Sequence, residues 1–147
     1  MGSGKRLLLD VNIWVALFDE QHARNCAAIA LVQTAGIRIA TCPITENGAL
    51  RITNMPVFNR QGVAGFARTR ATLRQVCLDC DHVFWADDLS LVHGDVIDFT
   101  RISGHNQLTD AYLLALAVRH DGALATFDHR IALSAVRGAT ADNLVLL

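Results

Sequence analysis

Lysine is almost missing from this 147-residue chain: Lys5 is the only one, and the other basic residues are arginines. The formal net charge is −1, which excludes a protein that grips nucleic acid by bulk charge alone. Arginine's planar fork suits bidentate phosphate contacts, so the bias toward it is compatible with a nucleic-acid substrate without establishing one. No apolar run approaches the roughly 20 residues of a membrane span. Met1 to Lys5 is too short and polar for a signal peptide, so a soluble, cytoplasmic protein with no membrane contact is expected. Only two prolines occur in a chain that is 52% hydrophobic, so a sizeable core is expected and long disordered segments are not. Cysteine is also sparse, at Cys26, Cys42, Cys77 and Cys80. The single C-x-x-C at Cys77 to Cys80, with His82 behind it, lacks the second pair that a structural zinc site needs. The four read as small, partly buried hydrophobes. A glycine-rich nucleotide loop or Walker motif is missing too.

What is present begins with Lys5 to Phe18. Leu7 to Leu9 reads as a buried strand ending at Asp10, and Val11, Trp14, Val15 and Phe18 follow at helical spacing. Asp10 thus falls at a strand-to-helix junction, the rim where open α/β sheets bind ligands, although Asp is also a favoured helix cap. Asn12 shares that turn. The spacing predicts a second helix over 22–34, stopped by Gly36, and a strand over 37–40. Pro43 then opens a helix that carries Glu46 near its start, repeating the arrangement at Asp10. A loop is expected over 53–60, a helix over 62–78, a strand over 82–85 and a short helical turn over 87–91.

The strongest helical pattern spans 106–120, where Leu113, Leu114, Ala117 and Val118 form the core stripe. Asp110 lies on that stripe, three, four and seven residues ahead of its apolar members. An acid there is an anomaly, because an unpaired buried carboxylate costs several kcal/mol. It is resolved by function, by the helix dipole or by a buried arginine. Ala123 to Phe127 reads as a buried strand ending at Asp128, with a short helix through Ile131 and Leu133, and Asn143 to Leu147 as the last strand. The alternation predicts one domain over 1–147: a three-layer α/β/α sandwich with a mainly parallel sheet of about five strands.

Under that topology Asp10, Glu46, Asp110 and Asp128 share one rim. Four crowded carboxylates repel one another, and a hard divalent cation relieves the repulsion. Oxygen ligands without a His or Cys set suit Mg²⁺ or Mn²⁺ better than zinc. A metal-dependent phosphodiesterase is the chemistry such a pocket performs. Asn12, Thr45, Thr126 and Gln107 are candidates to orient the acids by hydrogen bonds. Arg68, Arg70 and Arg74 on the central helix, with Arg51, are candidates to hold an RNA backbone, against the plainer reading of a solvated helix face.

Leu7 to Asn12, Cys42 to Glu46, Gln107 to Ala117 and Ala125 to Asp128 together resemble the four acidic motifs of a PIN domain. In particular they resemble the VapC-type toxins of bacterial toxin–antitoxin pairs. The resemblance spans Leu7 to Leu147, but no specific residues align over 55–102. It implies a PIN-like sandwich and a Mg²⁺- or Mn²⁺-dependent endoribonuclease that forms homodimers and is neutralised by a cognate antitoxin. It also implies a metal pocket of Asp10, Glu46, Asp110 and Asp128, supported by Asn12 and Thr126. Two other enzyme-like readings fail on single residues. An aspartyl-nucleophile phosphatase needs an acid where Asn12 stands, and a response-regulator receiver needs a lysine on a late strand. A PIN-like domain that binds RNA or a partner without cutting, and a housekeeping RNA-processing nuclease, remain as alternatives.

Overall fold

The structure is a computed structural model, and it describes residues 4–58 and 65–147. Five short strands form one parallel sheet: β1 (Leu7–Leu9), β2 (Arg38–Thr41), β3 (Asp81–Phe84), β4 (Ala123–Thr126) and β5 (Leu144–Leu146). Their spatial order is β3-β2-β1-β4-β5, and all four pairings are parallel. The chain therefore builds outward from β1 on one side, then crosses back to lay β4 on the other. That reversal puts the carboxyl ends of β1 and β4 together at the switch point, where open sheets form a crevice.

Each central strand is apolar on both faces, as parallel strands covered by helices must be. Leu8, Ala40 and Leu124 face one layer, while Leu9, Ile39 and Ala125 face the other. The first layer is α5 (Gln107–Arg119), whose Leu113, Leu114 and Leu116 are fully buried. The second combines α1 (Val11–Phe18), α2 (Asn25–Val32), α3 (Pro43–Thr53) and α4 (Phe66–Asp79), with Trp14 at its centre. The three-layer α/β/α sandwich with five parallel strands is thus as expected.

The local differences have physical causes. α2 starts at Asn25 rather than His22, because Asp19 and His22 close turns on the Gln21 and Arg24 amides. Gly36 does not end α2; it takes φ +72° in the turn that enters β2. α3 runs on through Thr53, whose hydroxyl donates back to the Ala49 carbonyl. The expected loop end at Arg60 and helix start at Gly62 lie outside the described residues. Residues 87–90 are irregular rather than helical, with the Asp88 amide donating to the Ala86 carbonyl at 2.9 Å, and a turn begins only at Leu91. The short helix after Asp128 is displaced to a single 3₁₀ turn at Leu133–Ala135.

Candidate active site

Asp10 follows β1 directly and caps α1, so its backbone is extended and its side chain is fixed at the strand-to-helix corner. One carboxylate oxygen, Oδ1, accepts from the Val11 amide at 2.7 Å. The other, Oδ2, accepts from the Thr126 hydroxyl at 2.6 Å. Thr126 ends β4, the neighbour of β1, and its Oγ1 accepts in turn from Asn12 Nδ2 and the Asp128 amide, both at 3.0 Å. Asn12 Oδ1 accepts from the Phe127 amide at 3.3 Å. One hydroxyl therefore ties together the ends of β1 and β4, and a buried polar group so fully satisfied holds a single geometry.

Asp10, Asp110 and Asp128 line one cleft of about 860 Å³ with Asn12, Thr109 and Arg51. Asp110 comes from the first turn of α5, on the layer opposite α1. Burial, and then the negative charges of Asp10 and Asp128, push its carboxyl up to about 6, with Arg130 opposing. Burial also raises Asp10, against the two hydrogen bonds it accepts. Asp128 moves the other way. Its Oδ1 accepts from the Arg130 amide at 2.8 Å and from Nε at 3.1 Å, and its Oδ2 accepts from Nη2 at 3.1 Å, which holds it below the usual carboxylate range.

Glu46 does not line this cleft as it stands, so the structure brings together three of the four expected carboxylates. It lines a separate cavity of about 580 Å³ between α3, α4 and β3, with Arg70, Arg74, Cys77 and His82. Thr41 donates its only hydroxyl proton to Glu46 Oε1 at 2.7 Å, so His82 Nε2, 2.8 Å from Thr41 Oγ1, is the donor of that second contact. The reason lies in helical geometry. Pro43, Ile44, Asn47, Gly48, Arg51 and Ile52 form the α3 stripe facing the acids, whereas Glu46 and Leu50 point about 100° away. Gly48 fixes that rotation: a Cβ there would stand 2.5 Å from Val11 Cγ2, so only glycine lets α3 approach α1 this closely.

Other expectations divide in the same way. Asn12 and Thr126 contact Asp10 or its neighbours, as described. Thr45 does not; it is buried in the cap of α3, where its hydroxyl accepts from the Cys42 amide at 3.0 Å. Gln107 accepts from the Ser103 amide at 2.8 Å and, among the described residues, makes no hydrogen bond to an acid of the cleft. Of the four arginines only Arg51 lines the acid cleft; Arg70 and Arg74 line the second cavity, and Arg68 is on the exposed side of α4.

The sequence reading missed three residues. Asn47 takes the α3 position facing the acids. Asp87, beyond the end of β3, lines the same cleft, and its Oδ1 is buried without a hydrogen-bond partner among the described residues. Arg130 pairs with Asp128. The Asp87-Asp88 pair following a strand is a legible signal for an acid on the rim.

The cleft's donors are mainly oxygens, the carboxylates of Asp10, Asp87, Asp110 and Asp128 with Asn12, Asn47 and Thr109 and one imidazole, His22; the orphaned Asp87 oxygen and mutually repelling acids are what a hard cation relieves, so the residues fit a divalent ion in kind. Among the described residues, no three His, Cys, Asp or Glu side chains as they stand enclose a single ion position. Asp128 is held by Arg130 instead.

A parallel five-stranded sandwich with acids gathered at its switch point defines a class. A sequence model described as "PIN domain" matches residues 7–137, and the chain belongs to that family. It is 41% identical over 144 residues to Ribonuclease VapC44 of Mycobacterium tuberculosis, covering 97% of this chain and 99% of that protein. Ribonuclease VapC39 of the same organism is 38% identical over 133 residues, covering 89% and 94%. Among solved structures, PAE2754 from Pyrobaculum aerophilum superposes with a TM-score of 0.52 at 16% identity, covering 95% of this chain and 86% of that one; this likeness concerns the fold.

Proposed function

We propose that the chain is a divalent-metal-dependent endoribonuclease, the toxin of a VapC-type toxin–antitoxin pair. The ribonuclease reading is supported by relatives named Ribonuclease VapC that match over nearly their whole length. Metal dependence is supported by one observation above the rest: Asp10, Asp110 and Asp128, far apart in sequence, line one cleft at the β1–β4 switch point. Asp10, Asp110 and Asp128 would hold Mg²⁺ or Mn²⁺, with Asp87 lining the same cleft. Such an ion supplies a water of lowered pKa and charge neutralisation at the phosphate.

The chain's own residues do the rest. Thr126 and the Val11 amide fix both oxygens of Asp10, so this carboxylate offers its remaining lone pairs in one direction. The α1 N-terminus behind it adds a positive dipole end. Asp110, with its raised carboxyl, is the acid whose charge is least tolerated without a cation. Arg51 lines the cleft, pairs with no acid among the described residues, and is placed to hold backbone phosphate. RNA as substrate, a cognate antitoxin and a homodimer complete the reading.

The test is cleavage of single-stranded RNA by the purified chain with Mg²⁺ or Mn²⁺, with and without a chelator. Asp10→Asn and Asp110→Asn are each expected to lower kcat/KM by at least about 100-fold. Cleavage that survives chelation, or either substitution at full rate, would refute the metal site. Neutralisation by the product of an adjacent small reading frame tests the toxin assignment separately.

A further inference from the structure

Among the described residues, Arg130 is the one cation in an ion pair with an acid of the cleft. Its guanidinium takes both oxygens of Asp128 in a fork, while the side chain is 83% exposed. Asp128 itself is held independently of that fork, because the Arg130 backbone amide donates to Oδ1 at 2.8 Å and the Asp128 amide is bonded to Thr126. The carboxylate's position is thus set by the backbone, and the guanidinium is a removable occupant. A cation held through both Asp128 oxygens takes the positions of the guanidinium fork, so the intact fork and such a cation are alternatives. When the cation takes that position, the fork opens.

A displaced Arg130 stays tethered two residues from Asp128, beside the cleft. RNA reaching an acid cleft on a chain of net charge −1 needs a local cation to hold its backbone. A guanidinium fork matches two phosphate oxygens as well as it matches two carboxylate oxygens. We propose that Arg130 is the resident counter-cation of Asp128 in the metal-free protein, and that metal entry releases it to bind a backbone phosphate of the RNA. This inference rests on the metal-dependent ribonuclease reading above. Arg130 acts as a phosphate-binding residue, and its ion pair keeps it next to the place where the phosphate arrives.

The experiment compares the wild type with Arg130→Ala and Arg130→Lys. Calorimetric titration with MnCl₂ in the absence of RNA reads the competition, and kcat/KM for single-stranded RNA at saturating Mn²⁺ across a salt series reads the phosphate contact. Arg130→Ala is expected to bind Mn²⁺ about two- to fivefold more tightly, the span that loss of an exposed ion pair corresponds to. Its KM is expected to rise with kcat nearly unchanged, and its salt slope to flatten by about 0.7, one single-strand phosphate contact. Arg130→Lys keeps a charge and is expected to restore the slope. Mn²⁺ affinity equal to or weaker than wild type in Arg130→Ala, or an unchanged salt slope, would overturn the inference. A wild type that takes up no Mn²⁺ would instead overturn the metal reading beneath it. An unaltered melting temperature without metal confirms that the variants are folded.

Discussion

Two side chains control the cleft through opposite effects. Thr126 is a small residue with three assignments: it donates to Asp10 and accepts from Asn12 and the Asp128 amide. Thr126→Val keeps the shape and removes all three, leaving buried polar groups unpaired. A loss of about 1–3 kcal/mol is expected in a urea melt, with kcat/KM falling about 10- to 100-fold. A variant that cleaves at the wild-type rate would show that Asp10 needs no such support. Asp110 works through charge. Its carboxyl is raised to about 6 from 3.8, so between these values the folded state binds more protons than the unfolded one. Its stabilising contribution is whole below about pH 4 and is lost as pH rises through about 6. Asp110→Asn should therefore flatten the decline in melting temperature from pH 4 to 7. It should also stabilise the metal-free protein at pH 7 by about 1 kcal/mol, the shift being discounted for the partial exposure of the group. A decline of the same steepness in the variant would assign it to other groups.

At the scale of elements, α3 decides which acid joins the cleft, and two substitutions test its rotation. Gly48→Ala drives a methyl into Val11 and is expected to cost about 1–3 kcal/mol by overpacking, read from chemical denaturation. Glu46→Gln should leave any Mn²⁺-induced rise in melting temperature intact, because Glu46 faces α4 and β3; loss of that rise would return Glu46 to the metal. This is also where the sequence was hardest to read. Asp10 was legible because it stands at the strand end itself, where one turn fixes its direction. Asp110 was legible from its place on an apolar helical stripe. Glu46 looked similar, but it sits four residues into α3, and there each position turns the side chain by about 100°. A strand followed by an acid does not reveal that rotation; the nearby Gly48, a sign of close approach to another backbone element, was the available clue. Arg130 was hidden for a different reason. An arginine two residues after an acid is common in turns, and only the carboxylate's membership of the cleft gives the pair meaning.

For the molecule as a whole, the strand order turns scattered acids into a common load on stability. β1 lies between β2 and β4, so the ends that carry Asp10 and Asp128 are neighbours, and α5 brings Asp110 across from the opposite layer. Their repulsion exists only in the folded chain, since unfolding separates residues 10, 110 and 128. A cation that binds the folded cleft and has little affinity for the unfolded chain stabilises by mass action, by about 2.7 kcal/mol at a hundredfold excess over its Kd. For a domain of this size, each kcal/mol raises the melting temperature by roughly 2–4 °C, so a rise of roughly 5–10 °C is expected with Mn²⁺ at that excess. The rise should grow with the logarithm of Mn²⁺ concentration, as linkage requires, rather than reaching a plateau at stoichiometric metal. Asp10→Asn and Asp110→Asn should each remove most of it, whereas Arg70→Ala combined with Arg74→Ala, in the other cavity, should leave it whole. A thermal scan of the wild type with no response at millimolar Mn²⁺ would remove the cation from the account, and the acids would then have to be explained by Arg130, Thr126 and solvent alone.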